Sequence, residues 1–375
     1  MTIVKQVNED AKGMKDFINL PYSLYKEEKN WCPPLRLERK QFFSNKNPFM
    51  KHSQVAYFVA YQNDIPKGRV TAHIDENYNK YHHASQGFFG FYESTDDSEV
   101  AKELMFATEN WVKSKGMNSI MGPFNFSTNN EIGFLIKGFE KPPVVMMPYT
   151  KKYYPEQLYE LGYENKKELM AYWLDKKREI PKTFSRLALR ISEKYGDTVK
   201  IRPLDRKRLN SDLKILLNIY NEAWSSNWGF VPMNVEEIDH VAQQLKAFAD
   251  TNYMCILYKN DDPAACLLAL PNINEALIHL KDGTLFPTGI FKFFSMKNKI
   301  KTLRLLIMGV KPEYQKLGFD FLLYNQFLKF VIDENIYTQL ESSWILEDNV
   351  EMINILNNQN AEPYKRYVVL GKALA

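Results

Sequence analysis

Cysteine is scarce in this chain. Cys32, Cys255 and Cys266 are the three in 375 residues, and no two are spaced as C-x-x-C. An odd, scattered set offers no disulfide framework and points to a reducing cytoplasm. The six histidines, including the pair His82-His83, show neither H-E-x-x-H nor a Cys/His zinc spacing, so no metal is expected. The G-x-S-x-G elbow of serine hydrolases and the Walker phosphate loop are also missing. Gly87-Phe88-Phe89-Gly90 is too short and too aromatic for a dinucleotide fingerprint and reads as strand. No apolar run approaches the roughly 20 residues that span a bilayer, and Met1 to Gly13 is polar and charged, so neither export nor a membrane partner is expected. The net charge of +4 comes from 49 basic and 45 acidic residues with the signs interspersed. That balance gives no ground for a nucleic-acid partner and suits an anionic cofactor.

What is abundant is aromatic: 14% of residues, with 22 Tyr and 24 Phe, most of it core packing. The length suits two domains, and the two halves repeat one pattern. Val55 to Tyr61, the turn Gln62-Asn63-Asp64 and Val70 to Ile74 read as a hairpin. Tyr253 to Tyr258, the turn Lys259-Asn260-Asp261-Asp262 and Ala265 to Leu270 read the same way. A strand, long helix and strand follow in each half, at Gly87 to Tyr92, Glu99 to Lys115 and Ser119 to Met121, then at Leu303 to Val310, Phe319 to Asn335 and Thr338 to Ile345. Each half closes with a short helix and a strand, Pro155 to Leu161 with Leu169 to Leu174, and Val350 to Asn358 with Tyr364 to Leu370. Pro181 within the charged run Lys176 to Lys182 marks a linker, continued by a helix from Thr183 to Lys194. The expected organisation is a first domain at 1–175, a connection at 176–197 and a second domain at 198–375.

The most informative segment runs from Leu305 to Phe330. An apolar strand ends at Met308-Gly309-Val310, and Lys311-Pro312-Glu313-Tyr314-Gln315-Lys316-Leu317-Gly318-Phe319-Asp320 leads into a helix marked by Phe319, Leu322, Leu323, Phe327, Phe330 and Val331 at helical spacing. A short loop feeding a helix aims the free N–H groups of its first turn at one spot, where the helix dipole also favours an anion. In the first half the corresponding stretch, Glu93-Ser94-Thr95-Asp96-Asp97-Ser98-Glu99, has carboxylates and no glycine, which suits a capped helix and not a phosphate seat.

The order Val310, Pro312, Gln315, Gly318 resembles the acyl-coenzyme A segment of the GNAT N-acetyltransferase superfamily, built around Gln/Arg-x-x-Gly-x-Gly/Ala. Asp320 stands where the family has a small residue. Leu158-Tyr159-Glu160-Leu161-Gly162-Tyr163 is similar to the Leu-Tyr-x-x-x-Gly-Phe ending of many such domains. The resemblance implies an α/β (mixed α+β) fold of two tandem GNAT-like domains, each a mostly antiparallel twisted sheet flanked by helices. It further implies acetyl-CoA or another acyl-CoA as cofactor, held by the second domain and not the first. Met308, Gly309 and Val310 would pair with its pantetheine arm, and Gln315, Lys316, Leu317, Gly318, Phe319 and Asp320 would surround its pyrophosphate.

The family's usual tyrosine acid lies in a pattern close to Asn-x-x-Ala-x-x-Leu-Tyr, which here reads Asn349, Met352, Ile355 and Leu356, so a leucine stands at the acid's position. Tyr324 is the candidate acid in its place, with Tyr364, Tyr367 or water as alternatives. Glu341, the one carboxylate of the strand Gln339 to Ile345, is the first candidate base, and Glu347 the reserve. Asn349 is also explicable locally, since Asp348 and Glu351 form a capping box. The loops around Asn221, Trp224 and Trp228, and around Asn125 and Asn129, are candidate acceptor contacts, as is Asn349.

These readings lead to a cytoplasmic N-acyltransferase acting on a small amine or amino-acid-like acceptor between the domains, with self-association left open. The alternatives are a GNAT-fold sensor or binding protein that has lost catalysis, and an aminoacyl transferase of the FemX type, which would carry a basic tRNA-contacting segment not seen here.

Overall fold

The computed structural model describes residues 1–175, 182–246 and 250–374. Its first part runs β1 (Ile3–Gln6), α1 (Ala11–Leu24), α2 (Arg36–Phe42), β2 (Ser53–Gln62), β3 (Ile65–Asp75), α3 (Glu76–His82), β4 (Gln86–Ser94), α4 (Ser98–Ser114), β5 (Ser119–Gly122), β6 (Phe134–Lys137), α5 (Tyr154–Glu160) and β7 (Glu164–Asp175). There follow α6 (Lys182–Tyr195), β8 (Val199–Pro203), α7 (Leu209–Ala223), α8 (Val235–Lys246), β9 (Met254–Lys259), β10 (Asp262–Pro271), α9 (Asn274–Leu277), α10 (Gly289–Lys297), β11 (Thr302–Val310), α11 (Phe319–Glu334), β12 (Gln339–Leu346), α12 (Val350–Asn358) and β13 (Glu362–Ala373). Of the expected linker, residues 176–181 lie outside the described residues.

Local chemistry sets these boundaries. Both hairpins turn on an Asn-Asp pair in the left-handed region, Asn63 and Asp64 with φ of 50° and 59°, and Asn260 and Asp261 with φ of 48° and 67°. That conformation matches the twist of the flanking strands in a two-residue turn, and Asn and Asp tolerate it. The side chain of Asp97 accepts the N–H groups of Glu99 and Val100 and so starts α4, whose Val100, Ala101, Leu104, Met105 and Val112 are buried at helical spacing.

The chain forms two compact units. Unit 1 comprises Met1–Leu169, Asn274–Asn298 and Lys365–Ala375, and unit 2 comprises Met170–Ile273 and Lys299–Tyr364. In unit 1 the strand order is β1-β2-β3-β4-β5 followed by β13, with β6 also on β13. In unit 2 the order is β8-β9-β10-β11-β12 followed by β7. Hairpin neighbours are antiparallel, whereas β4 with β5 and β11 with β12 are parallel. Each unit is therefore a mostly antiparallel sheet flanked by helices. The core of unit 1 gathers Phe58, Val70, Phe89, Leu104, Phe134, Tyr154 and Leu370, with a second aromatic cluster around Phe17, Phe43, Phe91 and Phe126.

The repeat read along the sequence closes each half with its own strand. In the structure Lys365–Ala373 of β13 lies in unit 1, where Leu370 to Ala373 pair with Gly122 to Ser119 of β5. The Met170–Asp175 part of β7 lies in unit 2. A hydrophobic pattern identifies a strand, but its backbone groups can pair with any edge that assembly presents. No helix among the described residues is long and apolar enough to cross a membrane.

Candidate functional site

In unit 2 the parallel ladder between β11 and β12 covers Thr302 to Leu305 opposite Gln339 to Ser342. Beyond Leu305, β11 continues to Val310 paired with β10, and its register shifts between Leu268 and Ala269. The bulge at Leu306 tilts the strand where the parallel pair parts, a device found where a strand re-aims its groups. Leu306, Met308 and Val310 remain half-buried although β11 is an interior strand. Gly309 is required by packing: an ideal Cβ there would lie 2.1 Å from Cζ3 of Trp224 and 2.9 Å from Cβ of Ala223. The candidate acceptor residue Trp224 and the candidate thioester strand are thus brought together. Trp224 sits at the C-cap of α7 because Leu213, Leu216 and Leu217 bury the helix. The loop after it is held by Asn221, which donates from Nδ2 to Met233 O at 2.8 Å and accepts from Met233 N at 3.0 Å. Trp228 is half-buried in that loop.

After β11 the chain donates from Lys311 N to Ala264 O at 2.9 Å and makes a tight turn at Pro312–Tyr314. Lys316 and Gly318 are left-handed, with φ of 62° and 82°, and α11 starts on Gly318 with no side-chain cap. The first bond of its ladder is Leu322 N to Gly318 O at 3.2 Å, so the earlier amides of the turn lie outside the ladder; those of Asp320 and Phe321 are taken by the Asp320 carboxylate, and an anion would be served by the amides ahead of them. Gln315 and Lys316 are exposed and Leu317 half-buried. Gly318 also faces α6, since a Cβ there would approach Cδ1 of Ile191 to 2.5 Å, while Phe319 is buried against Tyr195 with ring centroids at 5.3 Å. The one departure is Asp320 in the first turn, whose carboxyl is pushed up by burial against the opposing effect of the N–H groups of Phe321 and Asp320 that it accepts. The loop fits an anionic cofactor in its backbone and in Lys316, and Asp320 works against it.

Glu341 lies on β12 opposite Arg304 of β11. Both are sealed, at 0% and 1% exposure, with Arg304 Nε 3.7 Å from Glu341 Oε2. Tyr364 donates its hydroxyl to Glu341 Oε1 at 3.4 Å, Arg304 Nη2 donates to Ser343 O at 3.4 Å, and the guanidinium lies 5.6 Å from the Trp344 ring centre. Trp173 packs edge-on against Tyr364 with centroids at 5.3 Å. Arg304, Trp344 and Trp173 were missed by the sequence reading. The usable signal was Arg304 itself, a charge inside the apolar run Leu303 to Val310 that demands a partner once buried.

Unit 1 carries the same architecture with the corresponding place taken by its own chain. The parallel ladder of β4 and β5 covers Gln86 to Phe88 opposite Ser119 to Met121, and β4 bulges between the partners of Arg69 and Thr71. Where the strands part, Phe124 N donates to Phe89 O at 2.7 Å, and Asn125 Oδ1 accepts the N–H of Phe91 at 2.7 Å. Asn125 Nδ2 donates to Glu131 Oε2 at 2.9 Å, and an ideal Cβ on Gly90 would fall 1.8 Å from Phe124 O. Asn129 lies in the same loop, its N–H donating to Ser127 Oγ at 3.2 Å. At the start of α4 the amides are taken by Asp97, whose carboxyl is held below its usual range first by Gln62 and then by those amides. Glu93 is the last but one residue of β4 and turns inward to Tyr154 at 2.8 Å and Arg69 at 3.6 Å.

The comparisons with known proteins fit this geometry. The chain is 37% identical over 370 residues to protein YghO of Escherichia coli (strain K12), covering 97% of this chain and 94% of that protein. It is 34% identical over 368 residues to a bacterial ceramide synthase of Caulobacter vibrioides (strain NA1000 / CB15N), covering 96% of this chain and 95% of that protein. The chain belongs to their family. Among solved structures, a tandem GNAT protein from the clavulanic acid biosynthesis pathway aligns with a TM-score of 0.57 at 10% identity, over 100% of this chain and 99% of that one. The fold is that of a tandem GNAT protein, as the motif around Gln315 and Gly318 suggested. No family model matches the chain.

Against the GNAT pattern the remaining candidates fall as follows. Leu356, at the position of the family's acid, is 2% exposed in an apolar cluster with Met170, Tyr172, Ile345 and Ala361. Asn349 is the N-cap of α12, accepting Met352 N at 3.1 Å; the expected cap, Asp348, instead uses its backbone O toward Val350 N at 2.9 Å. Tyr324 is 4% exposed, and burial holds its hydroxyl far above the ordinary range, which makes it a weak proton donor at neutral pH. Glu347 is exposed just past the end of β12. Tyr367 is buried in β13 within unit 1. Among the described residues no group of three or more His, Cys, Asp or Glu is placed to hold a metal.

Proposed function

We propose that this chain is an N-acyltransferase that takes its acyl group from a coenzyme A thioester held by unit 2. The observation that carries the reading is the contrast between the two partings: at the bulge of β4 the chain's own Asn125 satisfies Phe91 N, whereas β11 runs past its parallel ladder, which ends at Leu305, into a left-handed turn at Lys316 and Gly318 that starts α11 on a glycine. In this reading the edge of Ile307 to Val310 orients the pantetheine arm by strand-like pairing. Lys316 and the backbone N–H groups from Leu317 to Phe319, ahead of those that Asp320 takes, hold the pyrophosphate. Bound there, the coenzyme supplies an activated acyl carbonyl. Glu341 is sealed behind Tyr364, whose hydroxyl donates to its Oε1, so in this reading the proton that the acceptor amine loses reaches the carboxylate through that hydroxyl as the carbon–sulfur bond breaks and the coenzyme leaves as its thiolate, with Arg304 facing the carboxylate at 3.7 Å.

The family relation suggests the acceptor class. A relative of 34% identity is named a ceramide synthase, and a ceramide is the fatty amide of a long-chain amino alcohol, so the acceptor proposed here is the primary amine of such a molecule. This proposal puts a lipid-like amine in place of the small amine or amino-acid-like acceptor expected from sequence. A second reading, a ligand-binding protein without turnover, draws on Leu356 lying in an apolar cluster where the family has its acid.

Calorimetric titration with acetyl-CoA and a long-chain acyl-CoA, followed by assay of thiol release with sphinganine as acceptor, tests these readings. Saturable binding with amine-dependent thiol release supports the transferase. Binding without release favours the second reading, and no binding of either thioester overturns the assignment of unit 2 as a coenzyme site.

A further inference from the structure

Helix α10 and the turn before it, both within unit 1, present to solvent the side chains that a folded chain ordinarily buries. Phe286, Phe291 and Phe294 are 61%, 76% and 58% exposed. Phe291 and Phe294 are three apart and share one side of the helix, while the exposed Lys292 and Lys297 flank that side. The helix has a fixed seat: a Cβ on Gly289 would fall 2.4 Å from Thr284 O and 3.2 Å from Cδ2 of Leu280, and Leu277 and Leu280 beneath are 9% and 4% exposed. The local sequence has one sign of charge. From Gly283 to Asn298, where this stretch of unit 1 ends, it contains no Asp or Glu, yet it includes Lys292 and Lys297. Single exposed aromatics are common on folded proteins, whereas a cluster of phenyl rings rimmed by lysines marks an interaction surface.

We infer that this face docks on the surface of an anionic lipid bilayer, with the phenyl rings of Phe286, Phe291 and Phe294 in the headgroup boundary and the flanking ammonium groups on lipid phosphates. The charge selects the occupant. A two-fold contact between copies of this chain would set lysine against lysine, while an anionic leaflet attracts each of them. At 9 residues α10 is too short to span a bilayer, and its composition is that of a helix lying in the interface plane. The inference is read from this surface and does not depend on the acyl-transfer reading.

The test is co-sedimentation of the full chain with phosphatidylcholine vesicles, with and without phosphatidylglycerol, alongside Phe291→Ser/Phe294→Ser and Lys292→Glu/Lys297→Glu. The substituted side chains are exposed, and melting curves check that each variant is folded. The wild-type chain is expected on the anionic vesicles and not on the neutral ones, with binding weakened by added salt. Each double variant is expected to lower the partition coefficient by about ten-fold or more. A wild-type chain that stays in the supernatant with anionic vesicles overturns the inference, as does wild-type binding by both variants. A dimer in sedimentation velocity that Phe291→Ser/Phe294→Ser dissolves, without vesicle binding, overturns it in favour of a second copy. Acyl-CoA affinity in solution is expected to be the same in all three proteins, so loss of vesicle binding and failure of the coenzyme assignment are separate results.

Discussion

Replacing Glu341 by Gln isolates the energetics of the buried pair at the parting of β11 and β12. The substitution keeps the shape of the side chain and removes its charge, leaving Arg304 at 1% exposure without the carboxylate that faces it at 3.7 Å. Breaking a buried pair from one side costs about 3–5 kcal/mol. Arg304 keeps the Ser343 carbonyl at 3.4 Å and the Trp344 ring at 5.6 Å, so the lower end, about 3 kcal/mol, is expected. Arg304→Met leaves the opposite charge, which unlike a guanidinium can be discharged by a proton. In that variant burial favours the protonated carboxyl of the folded state, so stability is retained at acidic pH and lost as pH rises. The double variant Arg304→Met/Glu341→Gln should recover most of the loss, giving a coupling energy of about 2 kcal/mol or more in a double-mutant cycle. The assay is urea unfolding of the four proteins at acidic and neutral pH. A cost below about 1 kcal/mol for Glu341→Gln, with coupling below about 0.5 kcal/mol, would refute the argument that the two charges form one unit. The double variant also separates structure from chemistry: if it folds and still catalyses acyl transfer at the wild-type rate, Glu341 is not the base.

Three further outcomes are expected. Asp320→Asn removes a carboxylate from the first turn of α11 and should tighten coenzyme A about three- to ten-fold; because burial raises the Asp320 carboxyl, wild-type binding should strengthen as pH falls while the variant's does not, as calorimetry across pH will show. Asn125→Ala removes the acceptor of Phe91 N and should cost about 1–3 kcal/mol in urea unfolding, with acyl-CoA affinity unchanged if the coenzyme belongs to unit 2. His73 is 0% exposed with Nε2 on Phe126 O at 2.9 Å, and burial lowers it to about 3. A depressed histidine takes up its proton on unfolding, so stability should fall as pH drops below about 6.5, by about 2 kcal/mol between pH 7 and pH 5. A His73→Leu variant should lack that component in the same pH series.

The unit 1 parting and the surface of α10 place constraints of different kinds on any activity. The first is internal: Asn125, Phe124 and Gly90 are fitted so closely that a single Cβ has no room, which commits that sheet to its own loop. The second is external, since Phe291 and Lys292 contribute no buried packing to the unit and are free to be selected for what they touch outside it.

The sequence by itself determined the elements and their repetition. Asn63-Asp64 and Asn260-Asp261 dictated two-residue hairpin turns because those residues tolerate left-handed backbone, and β2, β3, β9 and β10 lie where alternating apolar segments placed them. The glycine and proline punctuation between Val310 and Phe319 located the loop and the start of α11 to the residue. Tertiary structure alone decided which side chains meet. Arg304 and Glu341 are far apart in sequence and face each other only through the parallel register of β11 and β12. The bulge at Leu306 and the insertion of Asn125 depend on how strands part, for which an apolar run carries no signal. The assignment of Lys365–Ala373 to unit 1 depends on which sheet edge offered free backbone groups when the chain assembled. Local pattern fixes which backbone conformation a segment prefers. Partner, register and burial arise from packing over the whole chain, and the chemistry of the site follows from those.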